Sequence, residues 1–213
     1  ATTMREITRD STVYSIPSVT IVEIMGRHAG WLTASSAVLH AMGETAPHLV
    51  YVPEAKFSAE SFLRDVKQEM SKHKAVIVAV SEVQSGIVDN FGHKYLSGIG
   101  KYLEGLVRSE VGCKVRSVEL NVMQRCSSHL GSKTDIDESE AIGAAGVRCA
   151  LNGETGKVMV FRRAADMPYT VDIETADSAD IANLEKFLPS KYINSAGNNI
   201  NDIALPYFLP LIQ

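Results

Sequence analysis

"SVTIVEIMGRHAGWLTAS", residues 18–35, is the stretch from which the rest of the chain is read. Its first half, through Met25, is a continuous apolar and β-branched run, the pattern of a strand buried on both faces. The run stops at Gly26. From Gly30 the pattern changes, and "GWLTASSAVLHAMG" (30–43) predicts one helix closed by Gly43. A strand that turns sharply into a helix leaves backbone N–H groups at the helix start, where the helix dipole also favours an anion. Gly26 and Gly30 let the backbone turn tightly and approach a ligand closely. Arg27 adds a planar cationic fork suited to phosphate. A tight turn with a solvated arginine has the same spacing, so the spacing alone leaves both readings open.

The same alternation continues outward. "HLVYVPE" (48–54) predicts a second strand, stopped by Pro53. Ser58 is the expected N-cap of a helix over 59–73, where Phe62, Val66 and Met70 recur at helical spacing. "KAVIVAVSE" (74–82) is the clearest buried strand. A glycine-containing loop follows, then a helix over 95–112 and a strand over 113–122. Residues 134–153 predict a helix that opens on acidic residues, with a Thr or Asp cap, and ends at Gly153. Strands are expected at 156–164 and 169–176, as a hairpin or as two edge strands, and the tail reads as a short, proline-interrupted helix. The first ten residues look helical from the start. The expected fold is three-layer α/β/α with a mainly parallel sheet, a Rossmann-like half.

The 213 residues, 45% of them hydrophobic, suffice for a real core in one domain or one and a half. A net charge of −4 and the lack of a basic block with interleaved aromatics argue against nucleic acid. No apolar run approaches the roughly 18 residues of a membrane span, and no signal peptide opens the chain. Cys113, Cys126 and Cys149 are odd in number without Cys-x-x-Cys spacing, which favours reduced thiols in a cytoplasmic protein. The six histidines form no His-x-x-x-His or His-Glu-x-x-His pattern, so no metal site is expected. The acidic run 135–140 reads as the first turn of a helix. The chain opens in mid-helix without an initiator Met, so a piece of something longer is expected.

In such sheets, ligands bind at the carboxyl ends of the strands. The residues to watch are therefore Gly26-Arg27-His28, Glu54, Glu82 and Gln124-Arg125. Glu82, directly after "AVIVAVS", can accept hydrogen bonds from sugar hydroxyls or be a plain surface acid. Arg125 lies past the fourth strand. Arg116 lies inside it, where a charge usually marks a solvated face or a subunit contact.

Taken in order, "VEIMGRHAGWLTASSAVL", "YVPE", "AVIVAVSE", "KVRSVEL" and "MQR" resemble the phosphofructokinase family. The resemblance covers residues 1 to about 163 and is looser from 164 to 213. It implies a fructose 6-phosphate-binding domain over 1–163 and a C-terminal extension, 164–213, packing back on it. By resemblance, Met25, Gly26 and Arg27 contact fructose 6-phosphate and the transferring phosphoryl group, Arg27 as the catalytic charge. Glu82 holds sugar hydroxyls, Arg125 grips the 6-phosphate, and Gln124 lies in the same motif. Arg116 matches an arginine that reaches the sugar phosphate bound in a neighbouring subunit, which implies a homo-oligomer. Val122 stands where the family usually has His or Tyr, and Cys126-Ser127 replace two glycines. A second cross-subunit arginine is expected near "VYSIPS" (13–18), which has none. These departures resemble the pyrophosphate-dependent branch. The acid at Glu54 matches an effector-site acid of the bacterial ATP enzymes, but pyrophosphate enzymes are generally not regulated there, so Glu54 is not taken as a site.

The family's Gly-Gly-Asp donor loop and Thr-Ile-Asp catalytic loop do not occur in the sequence. The resemblance thus implies a C-terminal, sugar-phosphate-binding half of a glycolytic enzyme. Pyrophosphate, Mg2+ and the general base would be handled by an N-terminal half. The chain alone is expected to bind sugar phosphate without turnover. The alternatives are a fragment of an ATP-dependent phosphofructokinase, or a non-catalytic sugar-phosphate-binding or regulatory module.

Overall fold

A computed structural model describes residues 1–82 and 98–212. The chain opens with α1 (Thr2–Thr12), then β1 (Ser18–Ile24), α2 (Trp31–Ser35), α3 (Val38–Ala41), β2 (Leu49–Tyr51), α4 (Ala59–Met70) and β3 (Ala75–Ser81). After residue 97 come α5 (Ile99–Glu110), β4 (Lys114–Glu119), α6 (Met123–Cys126), α7 (Lys133–Leu151), β5 (Lys157–Asp166), β6 (Tyr169–Asp177), α8 (Ser178–Ile181) and α9 (Leu205–Phe208). The loop expected after β3, His93 and the first residues of the helix expected from 95 lie outside the described residues.

Four strands form one parallel sheet in the order β2-β3-β1-β4. Every residue of β1 and β3 is buried, in keeping with their largely apolar, β-branched sequences. Alternate side chains face opposite layers. Val19 and Ile21 of β1 and Val76, Val78 and Val80 of β3 pack with Phe62 and Val66 of α4 and with Ile99, Leu103 and Val107 of α5. On the other face, Thr20 Oγ1 and Ser11 Oγ of α1 lie 3.0 Å apart, and Thr33 of α2 bonds Ser81 at 2.7 Å. The expected layered, mainly parallel architecture is therefore the observed one.

Local chemistry explains both the agreements and the departures. Ser58 caps α4 through its side chain, accepting the Ser61 N–H at 3.1 Å. Residues 30–43 are not one helix but two short ones. Between them, the Ser36 and Ala37 N–H groups close i→i−3 bonds, and the Ser35 and Ser36 hydroxyls take the Leu32 and Thr33 carbonyls. Hydroxyls that compete for helix carbonyls tighten and bend the turn. Gly43, at φ +82°, ends α3 as expected: its N–H bonds the His40 carbonyl, and the Glu44 N–H bonds that of Leu39. The strand expected over 113–122 stops at Glu119. α7 starts at Lys133, with Ser132 rather than a Thr or Asp at its N-cap position.

Packing groups the chain into two compact units: residues 1–128 with 187–205, and residues 129–186 with 206–213. In the first, the segment after Phe187 covers the open edge of β2. The Val50 N–H donates to the Asn198 carbonyl, and Asn198 Nδ2 reaches Asp65, which also takes the Tyr51 hydroxyl. The second unit is α7 beside an antiparallel hairpin of β5 and β6, so the two late strands are a hairpin. The line expected at residue 163 falls inside β5.

Candidate functional site

The sheet order sets three chain exits side by side at the carboxyl ends of β3, β1 and β4: Glu82, Met25–Arg27 and Gln124-Arg125. The Glu82 N–H donates to the Ile24 carbonyl at 2.9 Å, carrying the ladder one residue past β3. Its carboxylate then receives the Arg27 Nε–H at 2.7 Å. The pair is lopsided, with Glu82's side chain 13% exposed and Arg27's 62%. An ion pair so open to water adds little stability. What it does is orient: one edge of the guanidinium is pinned, and its two terminal nitrogens have no partner among the described residues.

Glycine is required at both ends of the turn. Gly26 sits at φ +148°, and a Cβ there would lie 2.9 Å from the Ala29 carbonyl oxygen. A Cβ on Gly30 would come within 2.5 Å of Val52 Cβ. The anion expected at the start of the following helix is supplied by the chain itself. The Glu54 carboxylate accepts the Gly30 N–H at 3.0 and 3.2 Å and the Leu188 N–H at 2.8 Å. Glu54 thus ties the turn to the later covering segment, and α2, only five residues long, offers no separate anion site.

From the β4 side, Gln124 Oε1 accepts the Met25 N–H at 3.0 Å, and Arg125 Nε approaches Met25 Sδ at 3.5 Å. Arg125 is otherwise exposed. Val122, 63% exposed, opens the turn that carries both residues. Six of the seven sequence-predicted residues, Met25, Gly26, Arg27, Glu82, Gln124 and Arg125, therefore converge. Arg116 does not join them. It pairs in register with Thr20, five residues before Met25, or about 16 Å away along the strand. There it faces α1, bonding Asp10 and, at 2.9 Å, Ser11 Oγ.

Glu23 is the residue that pattern reading passed over, although an acid within "VTIVEIM" is the signal that betrays it. It is 6% exposed and accepts the Gly98 N–H at 3.2 Å and the Gly100 N–H at 2.7 Å, capping α5. Burial raises its pKa, against those two hydrogen bonds. Among the described residues, no three His, Cys, Asp or Glu stand close enough to hold a metal ion. Nor is any described helix long and apolar enough to cross a membrane.

Two arginines at the ends of adjacent strands, with a carboxylate at the end of the next strand beside Arg27, suit a ligand that is anionic at one end and hydroxylated at the other. The phosphofructokinase family profile matches residues 2–148. The pyrophosphate–fructose 6-phosphate 1-phosphotransferase of Halomonas elongata is 36% identical over 205 residues, covering 92% of this chain and 49% of its own. The enzyme of the same name from Xanthomonas campestris is 35% identical over 206 residues, with the same coverage. The crystal structure of a pyrophosphate-dependent phosphofructokinase from Marinobacter aquaeolei superposes with a TM-score of 0.85 at 31% identity, covering 99% of this chain and 52% of that one. The chain spans about half the length of the curated relatives it matches.

Proposed function

The chain belongs to the phosphofructokinase family, and on that premise we propose that it forms the sugar-phosphate-binding half of a 6-phosphofructokinase. The whole enzyme moves a phosphoryl group from pyrophosphate to the 1-hydroxyl of fructose 6-phosphate. The observation that carries this reading is the convergence of Arg27, Glu82 and Arg125 at three neighbouring strand ends. Phosphoryl transfer depends on positioning and on stabilising charge on the moving group. In this reading Arg125 grips the 6-phosphate and Glu82 accepts hydroxyls of the sugar. Arg27, pinned by its Nε, turns its terminal nitrogens to the moving phosphoryl group. Met25 and Gly26 form the close-fitting backbone beneath, and Gln124 stands behind them. Arg116 serves a sugar phosphate in a neighbouring subunit of a homo-oligomer, and the enzyme works in cytoplasmic glycolysis.

Pyrophosphate is favoured over ATP because relatives 36% and 35% identical to the chain are named for it. Mg2+ belongs to the donor side of the whole enzyme, and no step assigned to these residues runs through it. The test is to supply the whole enzyme with fructose 6-phosphate and either donor. Formation of the bisphosphate with pyrophosphate and not ATP is expected. The reverse preference overturns the donor, and no product with either overturns the reading.

A further inference from the structure

Gln124 owes its place to an interrupted ladder. β1 and β4 run in parallel register to Glu23 and Glu119, and the Leu120 N–H still donates to the Glu23 carbonyl at 3.0 Å. In a continued parallel ladder the next bond would run from the Met25 N–H to the Leu120 carbonyl. That carbonyl is taken: Asn121 turns the chain at φ +38°, and the Leu120 carbonyl accepts the Met123 N–H at 3.0 Å to open α6. The Met25 N–H would be orphaned at the last peptide before the Gly26 turn. Gln124 Oε1 takes it instead, at 3.0 Å.

We infer that Gln124 is a positioning residue, its side-chain carbonyl replacing the lost ladder acceptor and fixing the peptide from which Gly26 and Arg27 depart. This departs from the sequence expectation of a substrate contact. With Oε1 committed to Met25, Gln124 acts through the placement of Arg27. The inference rests on the proposed reading only in taking Arg27 as the group that stabilises the moving phosphoryl.

Two variants separate the roles. Gln124→Met keeps the volume and removes the acceptor; Gln124→Glu keeps an acceptor oxygen. Hydrogen exchange of the Met25 amide in this protein needs no substrate. It should be about tenfold faster or more in Gln124→Met and near the parent rate in Gln124→Glu, with the Val22 amide unchanged as a check on the fold. In the whole enzyme, Gln124→Met should lower kcat by about tenfold or more with the sugar KM within about threefold, and Gln124→Glu should recover most of kcat. An unchanged Met25 exchange rate in Gln124→Met overturns the inference. So does a raised KM at unchanged kcat, the mark of a direct ligand. An inactive whole enzyme would sink the proposed function and leave the exchange result to decide the role of Gln124.

Discussion

In the proposed reading, Arg27 concentrates the chemistry. Its Nε is committed to Glu82 and its terminal nitrogens have no partner among the described residues, so one edge of the side chain is fixed before any ligand arrives. A charge that acts on the moving group should affect turnover more than ground-state binding. Arg27→Ala in the whole enzyme should therefore lower kcat by about a hundredfold or more while the sugar KM moves far less; steady-state kinetics with unchanged kcat would remove Arg27 from this role. A second residue-scale prediction concerns His48. Its Nδ1 accepts the Ile77 N–H at 2.9 Å, and the His73 ring lies 4.3 Å away, beside Glu69. Burial first, and then the neighbouring His73, hold its pKa down at about 4, against 6.5 for a free histidine. The unfolded chain therefore binds a proton between those values that the folded chain refuses. Stability is full above pH 6.5 and drains away as pH falls toward 4. His48→Asn, whose amide oxygen can still meet the Ile77 N–H, should flatten that part of a melting-temperature profile. An equally steep decline in the variant would place the acid sensitivity elsewhere.

Among the elements, the buried strands were legible because strands with both faces buried are predominantly apolar and β-branched, as β1 and β3 are. The helix over 30–43 was not legible as two pieces, since the break comes from serine hydroxyls taking nearby carbonyls and leaves the apolar period intact. β4 misled in the same way. Val118, Leu120 and Val122 continue a strand's alternation, but Asn121 in a left-handed turn sends the chain into α6. The candidate site residues were picked out by place, at the strand ends, and by resemblance. The partners that fix them were not, because Glu54 on Gly30, Glu23 on α5 and Gln124 on Met25 join positions 24 to 99 residues apart. Glu54 yields a prediction at this scale. Its carboxylate takes N–H groups from the Gly26–Gly30 turn and from the segment that covers β2. Glu54→Ala strands both donors and should cost about 1–3 kcal/mol, seen in denaturant melts as a lower midpoint at unchanged slope. An unchanged midpoint would mean water replaces the carboxylate without loss.

As a whole molecule, the protein has a four-stranded parallel sheet with six candidate site residues gathered past its carboxyl ends, in a chain about half as long as the curated relatives it matches. In the second unit, α7 buries only Cys149 and leaves Ile136, Val147 and Leu151 exposed. The proposed division of labour makes this polypeptide a binder of sugar phosphate that does not turn it over, and bisphosphate formation by a pure sample would contradict that division. The most direct measurement is calorimetric titration of the protein with fructose 6-phosphate, beside an Arg125→Ala variant shown by circular dichroism to keep its fold. Saturable binding by the parent, weakened about tenfold or more in the variant, is the predicted result. Equal binding by both, or binding by neither, would contradict a sugar-phosphate site at the ends of β1, β3 and β4.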